Sequence, residues 1–383
     1  MKILQVEPIR LRVPIPAEKQ HRSDHGAIRQ LETIIVRITT EDGIAGYGEA
    51  RSEGGANVTL ISEVLAPRLM GRDATEITRL WEGFYSGGRA NHALAEGHAF
   101  PATLMRRGLG MSAIAGIDMA LWDIKGKALG VPVWQLLGGK VRDRVPLYAS
   151  GGWADEAHIG AQLRSYIEGG GYRAAKMRIG PADGSLEASV RRVEAAVREL
   201  GPDVRLAVDA HAGYSVADAK RFCQKIRDLD LLWLEEPISP DDIAGAREVR
   251  AATHIPIASG ERAVTRFDHL ALIENRTVDI LQPDLAICGG ITEAMRIASL
   301  ASAYNIRLAP HVWDSCVNYA ASLAFAAATP SVFVMEQCMS YNPLLHELAA
   351  NPFPVEDGHV VPRDEPGLGI ELDPDFIDHY RIV

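Results

Sequence analysis

Cysteine is scarce in this sequence: four residues in 383, Cys223, Cys288, Cys316 and Cys338. None falls in a CxxC spacing, which argues against both a disulfide framework and a cysteine zinc site, and the four are expected as reduced core thiols. Basic charge is also in short supply. Forty Lys and Arg stand against 50 Asp and Glu, a net charge of −10 with no basic run, so the electrostatic footprint of a nucleic-acid binder is missing. The opening residues never assemble the apolar core of a secretory signal, because Gln5, Glu7 and Arg10 interrupt it; a cytoplasmic location is expected. The most apolar stretch, Cys316 to Met335, is broken by Asn318, Ser322, Thr329 and Pro330, short of the ~18 uninterrupted residues of a membrane span. No membrane partner is expected.

What the chain does have is the composition of an ordinary globular protein, 47% hydrophobic and 23% charged, enough to bury a full core. Residues 1–55 alternate short apolar runs with turns, and Asp42-Gly43 between two such runs is a hairpin signal. Residues from about 57 to 137 carry apolar positions at three- and four-residue spacing, as helices do. The first 137 residues therefore predict an α+β domain. Beyond them a unit repeats: an apolar run ending in a polar residue, a loop, an amphipathic helix. The run ends fall at Ser150, Arg178, Asp209, Glu235, Glu261, Asp284, His311 and Glu336, separated by 28, 31, 26, 26, 23, 27 and 25 residues. Such spacing matches βα units of ~30 residues, and eight of them close a (β/α)₈-type barrel over residues 138–345. The segment 346–383 lies outside the repeat and is expected to return to the first domain.

Active sites of such barrels sit at the C-terminal ends of the strands. Asp209, Glu235 and Glu261 end three consecutive strands, so their carboxylates become neighbours whose repulsion a cation must relieve. An all-oxygen set selects a hard ion, Mg²⁺ first. Glu236 is passed over for Glu235, which shares a face with Trp233 and Leu231. Lys176 and Arg178, at i and i+2, aim two cations into the mouth. Lys176 becomes a base if the metal and neighbouring cations lower its pKa, whereas Arg178 stays protonated and can only donate or neutralise. Asp284 and His311 end neighbouring strands, which allows a hydrogen bond that orients the imidazole as an acid or base. His211, two residues past Asp209, is a second candidate acid, and Glu336 can meet a substrate hydroxyl as acceptor or, if protonated, as donor.

At this point the residues resemble the mandelate racemase subgroup of the enolase superfamily. The run Ala113-Ile114-Ala115-Gly116-Ile117-Asp118-Met119-Ala120-Leu121-Trp122-Asp123-Ile124-Lys125-Gly126-Lys127 is similar to its signature. Lys176-Met177-Arg178, Asp209, Glu235-Glu236-Pro237, Gly260-Glu261, Gln282-Pro283-Asp284, Pro310-His311 and Glu336 then follow in the family's order across essentially the whole chain. The resemblance implies an α/β fold, a modified (β/α)₇β TIM-like barrel under an α+β capping domain drawn from both chain ends. It also implies Mg²⁺ on Asp209, Glu235 and Glu261, an Asp284–His311 dyad, and removal of the proton α to a carboxylate to give an enediolate.

Arg178 stands where a racemase pattern has its second lysine base, which speaks against two-base racemisation. His211 is similar to the general acid of galactonate dehydratase-type members. The expected reaction is dehydration of a sugar acid, aldonate or aldarate, to a 2-keto-3-deoxy acid; the alternative is a lactone cycloisomerase or an epimerase with the same first step. The resemblance places substrate selection in the capping domain, with His25 and Arg89 as candidate contacts, and implies a homo-oligomer, dimer or octamer.

Overall fold

The structure, a computed structural model, describes residues 1–20, 22–23, 26–86 and 108–382. His25 and Arg89 lie outside the described side chains. The N-terminal sheet is built from β1 (Ile3–Pro14), β2 (Gln30–Thr40) and β3 (Ala45–Arg51), joined antiparallel in the order β1-β2-β3. The Asp42-Gly43 turn sits between β2 and β3, with Gly43 at φ 80°, as the hairpin signal requires. Ile9, Leu11 and Val13 point to one face and Arg10 and Arg12 to the other, the two-residue alternation of a strand. The opposite face, through Ile34, Val36 and Ile38, packs on α1 (Ile77–Ser86) and α2 (Leu109–Leu129).

The approach of α2 to the sheet is close, and glycine makes it so. A Cβ on Gly48 would stand 1.8 Å from the Gly116 carbonyl oxygen and 2.8 Å from the Ala120 nitrogen. Both are backbone atoms, so no rotamer relieves the clash.

Eight parallel strands follow: β4 (Val145–Gly152), β5 (Ala174–Arg178), β6 (Arg205–Asp209), β7 (Leu231–Glu235), β8 (Ile257–Ser259), β9 (Ile280–Leu281), β10 (Arg307–Leu308) and β11 (Met335–Cys338). They are hydrogen-bonded in sequence from β4 to β10. β11 pairs with β4, and Val332 just before β11 bridges Leu308 of β10, so the barrel closes. Seven long helices lie between the strands, from α3 (Ile159–Gly170) through α4 (Leu186–Leu200), α5 (Val216–Lys225), α6 (Ile243–Ala251), α7 (Thr265–Glu274) and α8 (Gly290–Ala303) to α9 (Cys316–Ala328). In the place of an eighth long helix, β11 is followed by the four-residue helix Pro343–His346. The eighth βα unit read from the spacing is therefore incomplete, and the barrel is (β/α)₇β. The eighth strand also starts later than the apolar run Ser331–Met335 suggested. Pairing with Leu147–Ser150 of β4 sets its register at Met335–Cys338, which makes Glu336 its second residue and not its terminus.

Inside, Tyr148, Ala207, Trp233, Ala258, Ile280 and Ala309 form one apolar layer, with Trp233 meeting Tyr148 edge-on at 5.0 Å. The strand period then dictates the next layer. Lys176, Asp209 and Glu235 each follow an inward Ala174, Ala207 or Trp233 by two residues and share its face.

Segment 346–383 makes two returns. Its hairpin, Val355–Glu356 with His359–Val360, lies antiparallel against β4 of the barrel. Only the last strand, Arg381–Ile382, adds to the capping sheet beside β1. All four cysteines are buried and free, and among the described residues no helix is long and apolar enough to cross a membrane.

Replacing Gly48 with Ala should destabilise the protein by about 3 kcal/mol, the upper part of the range for forced overpacking. Urea unfolding at equilibrium measures it, and a variant as stable as the parent would refute the close-approach argument.

Candidate active site

A cavity of about 630 Å³ lies between the barrel mouth and the capping sheet; its lining includes Lys176, Arg178, Asp209, His211, Glu261, His311 and Glu336 from the barrel. The first interior residues above the apolar layer are charged. Lys176 is almost fully buried, and its Nζ lies 2.7 Å from Glu235 Oε1, 3.0 Å from Glu336 Oε1 and 3.7 Å from Asp209 Oδ2. Burial alone would lower its pKa, but those carboxylates outweigh burial and raise it well above the ordinary lysine range. Lys176 is therefore a charged clamp among three carboxylates, Glu235, Glu336 and Asp209, and these groups raise its pKa where a base would need it lowered. Arg178 Nη1 lies 3.3 Å from Asp209 Oδ1, and its guanidinium covers the Trp153 ring at 5.3 Å.

Asp209, Glu235 and Glu261 converge as expected, offering ligand oxygens that lie within 4.8 Å of one another. Glu235 points inward, where Trp233 Nε1 and Gln282 Nε2 donate to its Oε2 at 2.8 and 2.7 Å. Glu236 points away and is buried beside Arg262, at 3.4 Å; burial first, then Glu261, push its carboxyl up to about 9. Burial and the neighbouring acids likewise push Glu235 up to about 7, against the pull of Lys176. A buried all-oxygen triad whose own cations leave one member this strained fits a hard divalent ion.

Two imidazoles flank Glu261. His211 Nε2 lies 3.7 Å from Oε1, and His311 Nε2 lies 3.7 Å from Oε2. Gly260 at φ 129° supplies the turn that presents Glu261 between them. His211 itself is at φ 47°, held in that turn by its backbone N–H, which donates to Asp209 Oδ1 at 2.8 Å. The expected dyad is formed: His311 Nδ1 lies 2.7 Å from Asp284 Oδ2, which commits Nδ1 and leaves Nε2 facing the cavity. Burial would lower the His311 imidazole, but Glu261, Glu336 and Asp284 outweigh it and raise it to about 10. Each positive charge added beside Glu261 weakens that pull and moves the imidazole toward its neutral form.

Glu336 is fully buried, with Oε2 accepting the Val312 N–H at 2.9 Å. Burial alone would raise its carboxyl, but Lys176 and His311 hold it below the ordinary range. It therefore faces the cavity as an acceptor, and the donor role is not supported.

These observations decide the family. The chain matches the mandelate racemase/muconate lactonizing enzyme N-terminal domain over residues 8–138 and the enolase C-terminal domain-like family over residues 158–376. This chain belongs to the mandelate racemase/muconate lactonizing enzyme family. It is 34% identical to a D-galactarolactone cycloisomerase of Agrobacterium fabrum, with 91% of each chain covered. It is 36% identical to a D-galactonate dehydratase of Ralstonia nicotianae, covering 89% of this chain and 88% of that one. Among solved structures, a Streptomyces coelicolor racemase with bound magnesium superposes with a TM-score of 0.87 at 31% identity, covering 99% of this chain and all of that one. The fold and the enolase superfamily membership read from the residues are thus established.

Sequence reasoning missed the support behind the dyad, which comes from the capping sheet. Glu49 of β3 is completely buried against the N-terminus of α9. It accepts the Ser315 N–H at 3.1 Å, the Ser315 hydroxyl at 2.6 Å, the Asn318 N–H at 2.9 Å and the Thr33 hydroxyl at 2.5 Å. Asn318 Nδ2 in turn donates to Asp284 Oδ1 at 3.1 Å. An acid at a helix N-terminus meets the orphan N–H groups and the positive end of the dipole. Gln282 was missed as well: its type carries no charge, and only the register of β9 beside β8 brings it to Glu235.

Glu49→Ala leaves buried donors of Ser315 and Asn318 without their acceptor and should cost about 1–3 kcal/mol. Burial, then Asp314, raises the Glu49 carboxyl from an ordinary 4.5 to about 7. The folded state therefore keeps a proton that the unfolded chain has released, so this group's contribution falls as pH rises from 4.5 to about 7. In chemical denaturation across that window, the stability advantage of the parent over Glu49→Gln should shrink with rising pH. An advantage that grows would contradict the assignment.

Proposed function

We propose that this chain is a magnesium-dependent acid-sugar dehydratase, removing the proton α to the carboxylate of an aldonate or aldarate and releasing water from the β-carbon. Support comes above all from the two imidazoles on either side of Glu261, each with Nε2 3.7 Å from one of its oxygens, and from Asp284, which fixes the His311 ring at 2.7 Å. Two imidazoles across one cavity fit one base and one acid. Asp209, Glu235 and Glu261 would hold the ion, which when bound supplies positive charge against the second negative charge that develops on the substrate carboxylate.

His311 takes the α-proton through Nε2, because Asp284 occupies Nδ1 and fixes the ring. His211 delivers a proton to the β-hydroxyl as its bond to carbon breaks, so the oxygen leaves as water. The resulting enol takes a proton at carbon and becomes the 2-keto-3-deoxy acid. Lys176 keeps Glu336 ionised and holds Glu235 in place, and Arg178 cannot serve as a second base. The relatives named D-galactonate dehydratase support the same reading. The cycloisomerase relative supports a second one, in which the first proton transfer is shared but no water leaves.

Proton NMR in D₂O with magnesium, across aldonic and aldaric acids and their lactones, separates the two. Dehydration replaces the α-signal by a 3-deoxy methylene, whereas cycloisomerisation conserves mass. His311→Asn should abolish exchange, and His211→Asn should retain exchange while slowing water release by about 10²–10⁴-fold; dehydration by the His311 variant would overturn the assignment. In chelator-treated protein, magnesium at about 100 times its dissociation constant should add about 2.7 kcal/mol to the unfolding free energy. Asp209→Asn should abolish that gain, and an unchanged gain would remove Asp209 from the ligand set.

A further inference from the structure

The wall of the cavity opposite the triad belongs to the capping sheet and is rich in arginine. Arg10, Arg12 and Arg51 all line the cavity that Asp209, Glu261 and His311 line from below. Their balance differs. Arg51 has a counter-ion of its own, Asp314, at 2.6 Å. Arg10 and Arg12, on one face of β1, share a single carboxylate, Glu32. Arg10 Nε and Nη2 reach Glu32 Oε1 at 2.8 and 2.7 Å, and Arg12 Nε reaches Oε2 at 2.9 Å.

Glu32 serves both cations with its two oxygens while Ser52 also donates to Oε1, and among the described residues the other acid that the capping domain brings to this cavity is Glu53. Arg10 is braced from behind, since a Cβ on Gly55 would stand 2.5 Å from its Nη1. Arg12 has a side chain 39% exposed, and among the described residues its two Nη nitrogens make no hydrogen bond. Arg12 lines the cavity, and a guanidinium held by Nε with its Nη groups unbonded is a planar donor pair shaped for a carboxylate.

We propose that Arg10 and Arg12 form a second carboxylate subsite, so that the substrate class is the dicarboxylic sugar acids, with one carboxylate at the triad and the other on this arginine pair. The inference rests on the reading that a sugar acid binds at the triad, and it selects aldarate over aldonate within that reading. Arg12 is the specificity-determining member, and Arg10, fixed by Glu32 and Gly55, supplies field and position. An aldonate presents a neutral hydroxymethyl group here and gives the Arg12 Nη groups no carboxylate to bind, the kind of mismatch that a polar site rejects strongly.

The test uses the full-length His311→Asn protein with magnesium, in which ligands bind without turnover. Calorimetric titration with meso-galactarate and with D-galactonate should show galactarate at least tenfold tighter. In the His311→Asn/Arg12→Gln double variant the ratio should fall toward one, and in His311→Asn/Arg12→Lys, which keeps the charge but loses the fork, it should lie between. Thermal melts check that each variant is folded. Equal affinities for the two acids, or a ratio that Arg12→Gln leaves unchanged, would overturn the subsite. Failure of both acids to bind would instead overturn the sugar-acid reading and the subsite with it. If galactarate binds selectively yet the parent enzyme dehydrates no aldarate, the subsite stands and the proposed reaction fails.

Discussion

Burying like charges at the mouth of the barrel is the constraint from which the rest of this structure follows. Asp209, Glu235 and Glu336 surround one ammonium, Lys176, and Glu261 and Asp284 stand one step further out. Such an arrangement would fly apart in an apolar medium unless cations and donors were brought to it. Lys176 supplies the central charge, Arg178 the next, and Trp233 and Gln282 both hold Glu235 Oε2, the oxygen that Lys176 leaves to them. The strain left over, visible in Glu235, defines a place for further positive charge.

The capping domain takes part in this economy through its own buried acids. Asp118 of α2 accepts the Thr292 N–H at 2.9 Å at the start of α8, and Glu49 does the same for α9. Asp123 accepts the Leu368 N–H at 2.8 Å and so ties down the C-terminal segment. These two helices follow the strands that end in Asp284 and His311. Docking of the capping domain therefore fixes the helices behind the dyad, and through Asn318 it reaches Asp284 directly. The signature around Asp118 thereby acquires a physical content: Gly116 allows the close approach to β3, Asp118 caps a barrel helix, and Asp123 anchors the chain end.

A barrel of this type hosts many reactions, so the chemistry has to be read from differences at its rim. Arginine at 178 removes a base from one side, and a histidine at 211 places an imidazole opposite the dyad. The capping wall then offers a different kind of information, since arginines on a strand face report the charge of what they meet.

The repeat, the carboxylates on consecutive strands, the dyad and the signature were legible in the residues alone, because strand period and barrel topology convert spacing into position without detailed packing. The sequence also marked Glu235 over Glu236 by parity with Trp233. It left open which groups are ionised: Lys176 reads equally well as a base until Glu235 and Glu336 are found on either side of it. That came from the folded molecule, along with the incomplete eighth unit, the later start of β11, and the reach of Glu49 across 266 residues of chain to Ser315. The physical reason is common to all of them. Charge state, closure and docking depend on which atoms meet across long separations in sequence, and local periodicity carries no record of those meetings.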